Sequence, residues 1–78
     1  MITNDIKKGM RVQLKNGWFA TMADNKKGNI RMARVEGLFT ETGSIYSADI
    51  ARVKVGDEWE EVEATEKQKT VASFMDMF

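Results

Sequence analysis

Five cations and a phenol are the side chains of this sequence whose types and spacing could act on a partner: Lys26, Lys27, Arg31, Arg34, Arg52 and Tyr46. Lys26 and Lys27 lie in a polar turn, and the three Arg fall on segments that read as strands. Trp18, Phe19 and Phe39 are interleaved with them. Small β domains bind single strands or nucleotides with such a set, the cations tracking phosphates and a ring stacking on a base. The same cations would serve an acidic protein surface. The competing reading puts the Arg on a solvated outer face and the rings in a core. So small a domain needs its large apolar groups inside, so Trp18, Phe19, Phe39 and Trp59 are expected to be core residues.

Covalent chemistry has little to work with. The chain has no His and no Cys, which removes the commonest general base, the commonest metal ligand and every thiolate. Glu58, Glu60, Glu61 and Glu63 crowd one short stretch in the manner of a solvated face. None of the acids shows the ligand spacing of a calcium loop. The glycines punctuate element boundaries and form no phosphate loop. The expectation is a non-enzymatic chain with no cofactor and no metal.

At 78 residues the chain is one domain with a modest core and no disulfide to reinforce it. No apolar run reaches membrane-spanning length and the first residues lack signal-peptide order, so a cytoplasmic protein with no membrane partner is expected. Net charge is zero but lopsided: ten basic and five acidic side chains up to Gly56 give +5, and seven acids with two Lys beyond it give −5. That split suits an anionic partner, a polar protein partner, or contact between the two parts.

The elements that must position these residues read as strands. Met10, Val12 and Leu14 alternate with Arg11, Gln13 and Lys15, a strand with one buried face. Asn16-Gly17 predicts a type I′ hairpin turn into a second strand, Trp18 to Asp24, whose inner face is left open. Asn25–Gly28 is a polar turn. Asn29–Glu36 reads as a third strand with Ile30, Met32 and Val35 inward, which requires a bulge near Ala33-Arg34. Thr40–Ser44 reads as a turn and Ile45-Tyr46 as a short strand. Ser47–Ile50 is a compact 3₁₀-like turn, and Ala51–Val55 a strand with Val53 and Val55 inward. Gly56-Asp57 is a two-residue turn into a last strand from Glu58, anchored by Trp59. Thr65 and Gln68 form a capping box. Val71, Phe74, Met75 and Phe78 then recur at helical spacing, a contact face for the barrel, a second copy or a partner.

The stretch from Ile6 to Val55 resembles SH3-like barrels of the KOW kind. It opens with Ile6-Lys7-Lys8-Gly9-Met10-Arg11-Val12, has Gly at most corners, and sets a tight turn before its last core strand. More narrowly, Asn16-Gly17-Trp18, Asp24–Arg31, Val35-Glu36-Gly37 and Glu41–Ile50 look like small tailed-bacteriophage proteins. The resemblance implies a small SH3-like antiparallel barrel of five or six strands, taken over residues 1–64, and the helical spacing beyond it predicts a C-terminal amphipathic helix over 65–78. It implies an accessory role in infection, in the host cytoplasm, and the function expected is binding and inhibition of a host macromolecule, a host protein or defence component first. Nucleic-acid or nucleotide binding and a structural place in the virion are the alternatives. The helix is expected first to dock on the barrel, and any self-association to run through it.

Overall fold

The computed structural model describes residues 1–64 and Gln68. The chain is mainly β: six antiparallel strands form one sheet, β1 (Arg11–Leu14), β2 (Phe19–Met22), β3 (Ile30–Glu36), β4 (Thr40–Tyr46), β5 (Ile50–Val55) and β6 (Glu58–Glu61), in the order β4-β3-β2-β1-β5-β6. Short 3₁₀ turns cover Thr3–Asp5 and Ser47–Asp49. The second is the compact turn expected there. The closed barrel is not found: among the described residues β4 and β6 are separate edges that do not pair, because β6 extends the sheet on the side away from β4. The C-terminal helix, with Val71, Phe74, Met75 and Phe78, lies outside the described residues.

β1 forms as its alternation requires, with Val12 and Leu14 buried and Arg11 and Gln13 on the other face. Its turn differs from the expected type I′, which needs positive φ at two residues. Here Gly17 alone takes it, at φ 93°, and no non-glycine residue among the described residues does. The loop is three residues long, Lys15–Gly17: the Gly17 N–H donates to Leu14 O at 2.9 Å and the Leu14 N–H to Trp18 O at 2.7 Å. Asn16 instead accepts the Trp18 N–H on its own side chain at 2.9 Å. This register turns Ala20 and Met22 inward and Phe19 outward. The Gly56-Asp57 turn has the expected two residues, closing Val55 against Glu58.

β3 carries no bulge; its register against β4 runs unbroken from Ile30–Tyr46 to Glu36–Thr40. Arg31 and Ala33 face the interior, and Ile30 is 55% exposed. The bulge lies in β5 instead. Gln13 pairs with Arg52 but Leu14 with Ile50, so Ala51 is the extra residue. That extra residue lets Ile50 and Val53 both point inward although three apart. Thr40–Ser44 is strand rather than turn: the hairpin tip is confined to Gly37–Phe39, and β4 runs seven residues.

The core is Ile6, Val12, Leu14, Ala20, Met22, Ala33, Ile50 and Val53. Among the described residues no large aromatic joins it: Trp18, Phe19, Phe39 and Trp59 are 44%, 37%, 78% and 38% exposed. The inner positions of β2 and β3 include two alanines, and the long Arg31 side chain fills space a ring would need. Trp18 rests on the β3–β4 tip, so close to Gly37 that any Cβ there would overlap its ring.

Candidate functional site

The residues expected to form one basic surface are divided by the fold. Arg31 is removed from it altogether. Its side chain is fully buried and paired with Asp24, Nε to Oδ1 at 2.6 Å. The rest of the guanidinium donates to Thr3 O at 3.2 Å, Ile6 O at 2.8 Å and Asp24 O at 2.9 Å. Continuing the β2–β3 register beyond Met22–Ala33 sets Asp24 opposite Arg31. The pair therefore closes the hairpin and pins the N-terminal 3₁₀ turn to it. Around it, Gln68 donates to Asn4 Oδ1 at 3.2 Å and Gly28 O at 2.7 Å and accepts from the Thr3 hydroxyl. Ser47 Oγ donates to the same Gly28 O at 2.5 Å. No buried side-chain polar atom among the described residues lacks a hydrogen-bond partner. This is a structural knot.

Burial pushes the Asp24 carboxyl upward, but Arg31 and the N–H groups of Met32 and Lys26 outweigh it and hold the group below the usual Asp range. A depressed folded pKa stabilises the fold above the unfolded value, about 3.9, and that contribution disappears as pH falls through the folded value. Urea midpoints followed from pH 6 to 2 are expected to drop below about pH 4, and Asp24→Asn is expected to flatten the drop. An unchanged profile in Asp24→Asn would show that another carboxylate governs acid lability.

Lys26 and Lys27 are exposed on the β2–β3 loop. Tyr46 lines a cleft of about 440 Å³ at the end of the sheet with Leu14, Lys15, Ser44, Ile45 and Asp49. The lysines do not join Arg34 and Arg52 on the outer sheet face; Tyr46 shares that face by register, opposite Ile30, but at its far end.

That outer face is the most organised surface of the chain. Cross-strand pairing sets Glu36, Phe19, Gln13, Arg52 and Glu61 in one row and Thr42, Arg34, Thr21 and Arg11 in the next. Lys54 and Trp59 pair on the same face. Phe19 on β2 and Trp59 on β6 lean toward each other across β1 and β5. Their centroids are 5.7 Å apart and the rings inclined at 44°. The Arg11 guanidinium sits 5.2 Å from the Phe19 centroid and 2.5 Å from Glu36. Arg52 faces Glu61 at 3.5 Å. Arg34 and Lys54 are exposed and make no ion pair among the described residues.

Three residues of this face, Arg11, Lys54 and Trp59, are not among the expected binding residues, and Phe19, a candidate stacking ring expected in the core, lies on the surface. The signal for Phe19 was the hairpin register: a loop closing on Leu14 and Trp18 puts Phe19 beside Gln13, on the side away from Val12. No group of three or more Asp or Glu suited to a metal ion occurs among the described residues. No helix among them is long and apolar enough to cross a membrane. Comparison with protein-family models, curated proteins and solved structures finds no match.

Proposed function

We propose that this chain is a non-enzymatic binding module that engages a partner protein through its outer sheet face. The carrying observation is the half-exposed Phe19–Trp59 ring pair, set among Arg11, Arg34, Arg52 and Lys54 and the carboxylates Glu36 and Glu61. Aromatic and Arg side chains are the types enriched where protein interfaces concentrate their affinity. Charges of both signs around them favour a protein surface over a phosphate backbone, which the carboxylates would repel. The strand order β4-β3-β2-β1-β5 and the 3₁₀ turn before β5 support an SH3-like reading of the fold, as an open bent sheet. With neither His nor Cys, such a module acts on a larger partner by covering it. Inhibition of a host protein by a phage-encoded chain is the form of that activity we infer.

Arg34→Glu with Lys54→Glu reverses the two cations of this face that make no ion pair among the described residues, both exposed and clear of the core. Immobilised wild-type and double-variant chains, compared on nuclease-treated bacterial lysate, are expected to differ. The wild type should retain a defined protein with weak salt dependence, and the variant should lose it. Capture that vanishes on nuclease treatment, with affinity falling about 0.7 log unit per log of salt for each phosphate neutralised, would replace this reading with nucleic-acid binding.

A further inference from the structure

We propose that β4 is a self-pairing edge: two copies join β4 to β4, antiparallel, about a two-fold axis at Gly43. The argument rests on which backbone groups face outward, and on how differently the sheet treats its two edges.

Bonds in an antiparallel ladder alternate along the strand. The Ser47 N–H donates to Asn29 O at 2.8 Å and the Gly37 N–H to Phe39 O at 3.1 Å, one at each end of the β3–β4 register. Between them Ile45, Gly43 and Glu41 are therefore the residues of β4 bonded to β3. The N–H and C=O groups of Thr40, Thr42, Ser44 and Tyr46 are left facing the free edge.

Exposed edges are normally blunted by charge, shortness or a covering segment. β6 has all three: it is four residues long, three of them Glu, and its end is covered by Met1–Thr3. That cover includes the Glu63 N–H donating to Met1 O at 3.1 Å and the Thr3 N–H to Glu63 O at 3.1 Å. β4 is longer and far less charged, and among the described residues no segment beyond β3 pairs with it. It runs seven residues with Glu41 as its lone charge, without Lys or Pro, and most of it is exposed.

The β4 sequence also fits itself. With Gly43 opposite Gly43, Thr42 faces Ser44 of the second copy and Thr40 faces Tyr46. These are the four residues whose backbone groups point outward, so each finds a bonding partner. Glu41 meets Ile45, and no two carboxylates face each other. This pairing places Gly43 at the axis and opposes no like charges, which is why we commit to a second copy. The pairing uses an edge and leaves the outer sheet face free, so it stands independently of the function proposed above.

The test uses the absence of Cys from the chain. A Cβ at Gly43 meets nothing within 4 Å, and its φ is not in the left-handed region, so Gly43→Cys is compatible with the fold. Opposed non-bonded residues of an antiparallel pair lie about 4.5 Å apart at Cα, within disulfide reach. Sedimentation equilibrium of the wild type is expected to show a reversible dimer. Mild oxidation should cross-link Gly43→Cys much faster than Asp57→Cys on the remote β5–β6 turn. Thr42→Lys with Ser44→Lys, and Thr42→Glu with Ser44→Glu, should each give a folded monomer by circular dichroism. Mixing the two should restore a dimer. A monomeric wild type, equal cross-linking at the two Cys positions, or no dimer on mixing would each overturn the proposal.

Discussion

Arg31→Met is expected to destabilise the fold by about 3–5 kcal/mol, the cost of breaking a buried ion pair from one side. The substitution keeps most of the length and apolar volume of the side chain. What it removes is the charge beside Asp24 and the donors to Thr3 O, Ile6 O and Asp24 O. Asp24 would keep the Met32 N–H at 2.8 Å but lose its counter-charge. Domain stabilities run from about 5 to 15 kcal/mol, and a chain this small belongs near the lower end. Much of the variant should therefore be unfolded at ambient temperature. Urea titration followed by the fluorescence of Trp18 and Trp59 measures this directly. Arg31→Met combined with Asp24→Leu should recover part of the loss, since removing both charges costs less than stranding one. A midpoint for Arg31→Met within experimental error of wild type would mean that the knot does not hold the N-terminal turn to the sheet.

Arg31 also shows where sequence reasoning stops. Period-2 alternation found β1 because Val12 and Leu14 are apolar and Arg11 and Gln13 are not. The same rule, applied to β3, turned Ile30 and Met32 inward and needed a bulge to accommodate Val35. The inward residues are Arg31, Ala33 and Val35, in perfect alternation, with a charged residue in an apolar position. Polarity alone cannot reveal that inversion. The opposite charge of Asp24 can, but only once the β2–β3 register places it across from Arg31. The turns were legible where backbone chemistry is local, as at Gly56-Asp57 and Ser47–Asp49. They were misread where a side chain offered an alternative, as when Asn16 bonds the Trp18 N–H and spares itself a positive φ. The rings were expected inside because small domains need apolar volume. Ala20 and Ala33 show instead that these inner positions take small residues, which leaves Phe19 and Trp59 on the surface where a partner can reach them.

Trp59→Ala is therefore expected to leave the fold nearly intact and to weaken partner capture by about 30-fold or more, the effect of losing an interface hot spot of 2 kcal/mol. Phe19→Ala should act in the same direction with an added component. The Phe19 ring carries the Arg11 guanidinium on one side and meets Trp59 on another, so its removal releases both. Because the two rings touch, their contributions should not add: the double variant should lose less than the two single losses combined. Lys26→Ala with Lys27→Ala supplies the contrast. Those side chains lie on the β2–β3 loop, away from the ring pair, and their loss should change capture little. A binding assay on the four variants separates a ring-centred interface from a merely basic one. If Trp59→Ala and Phe19→Ala bind as the wild type does while the double lysine variant fails, the contact lies at the β2–β3 loop. The outer face would then be only the solvent side of the sheet.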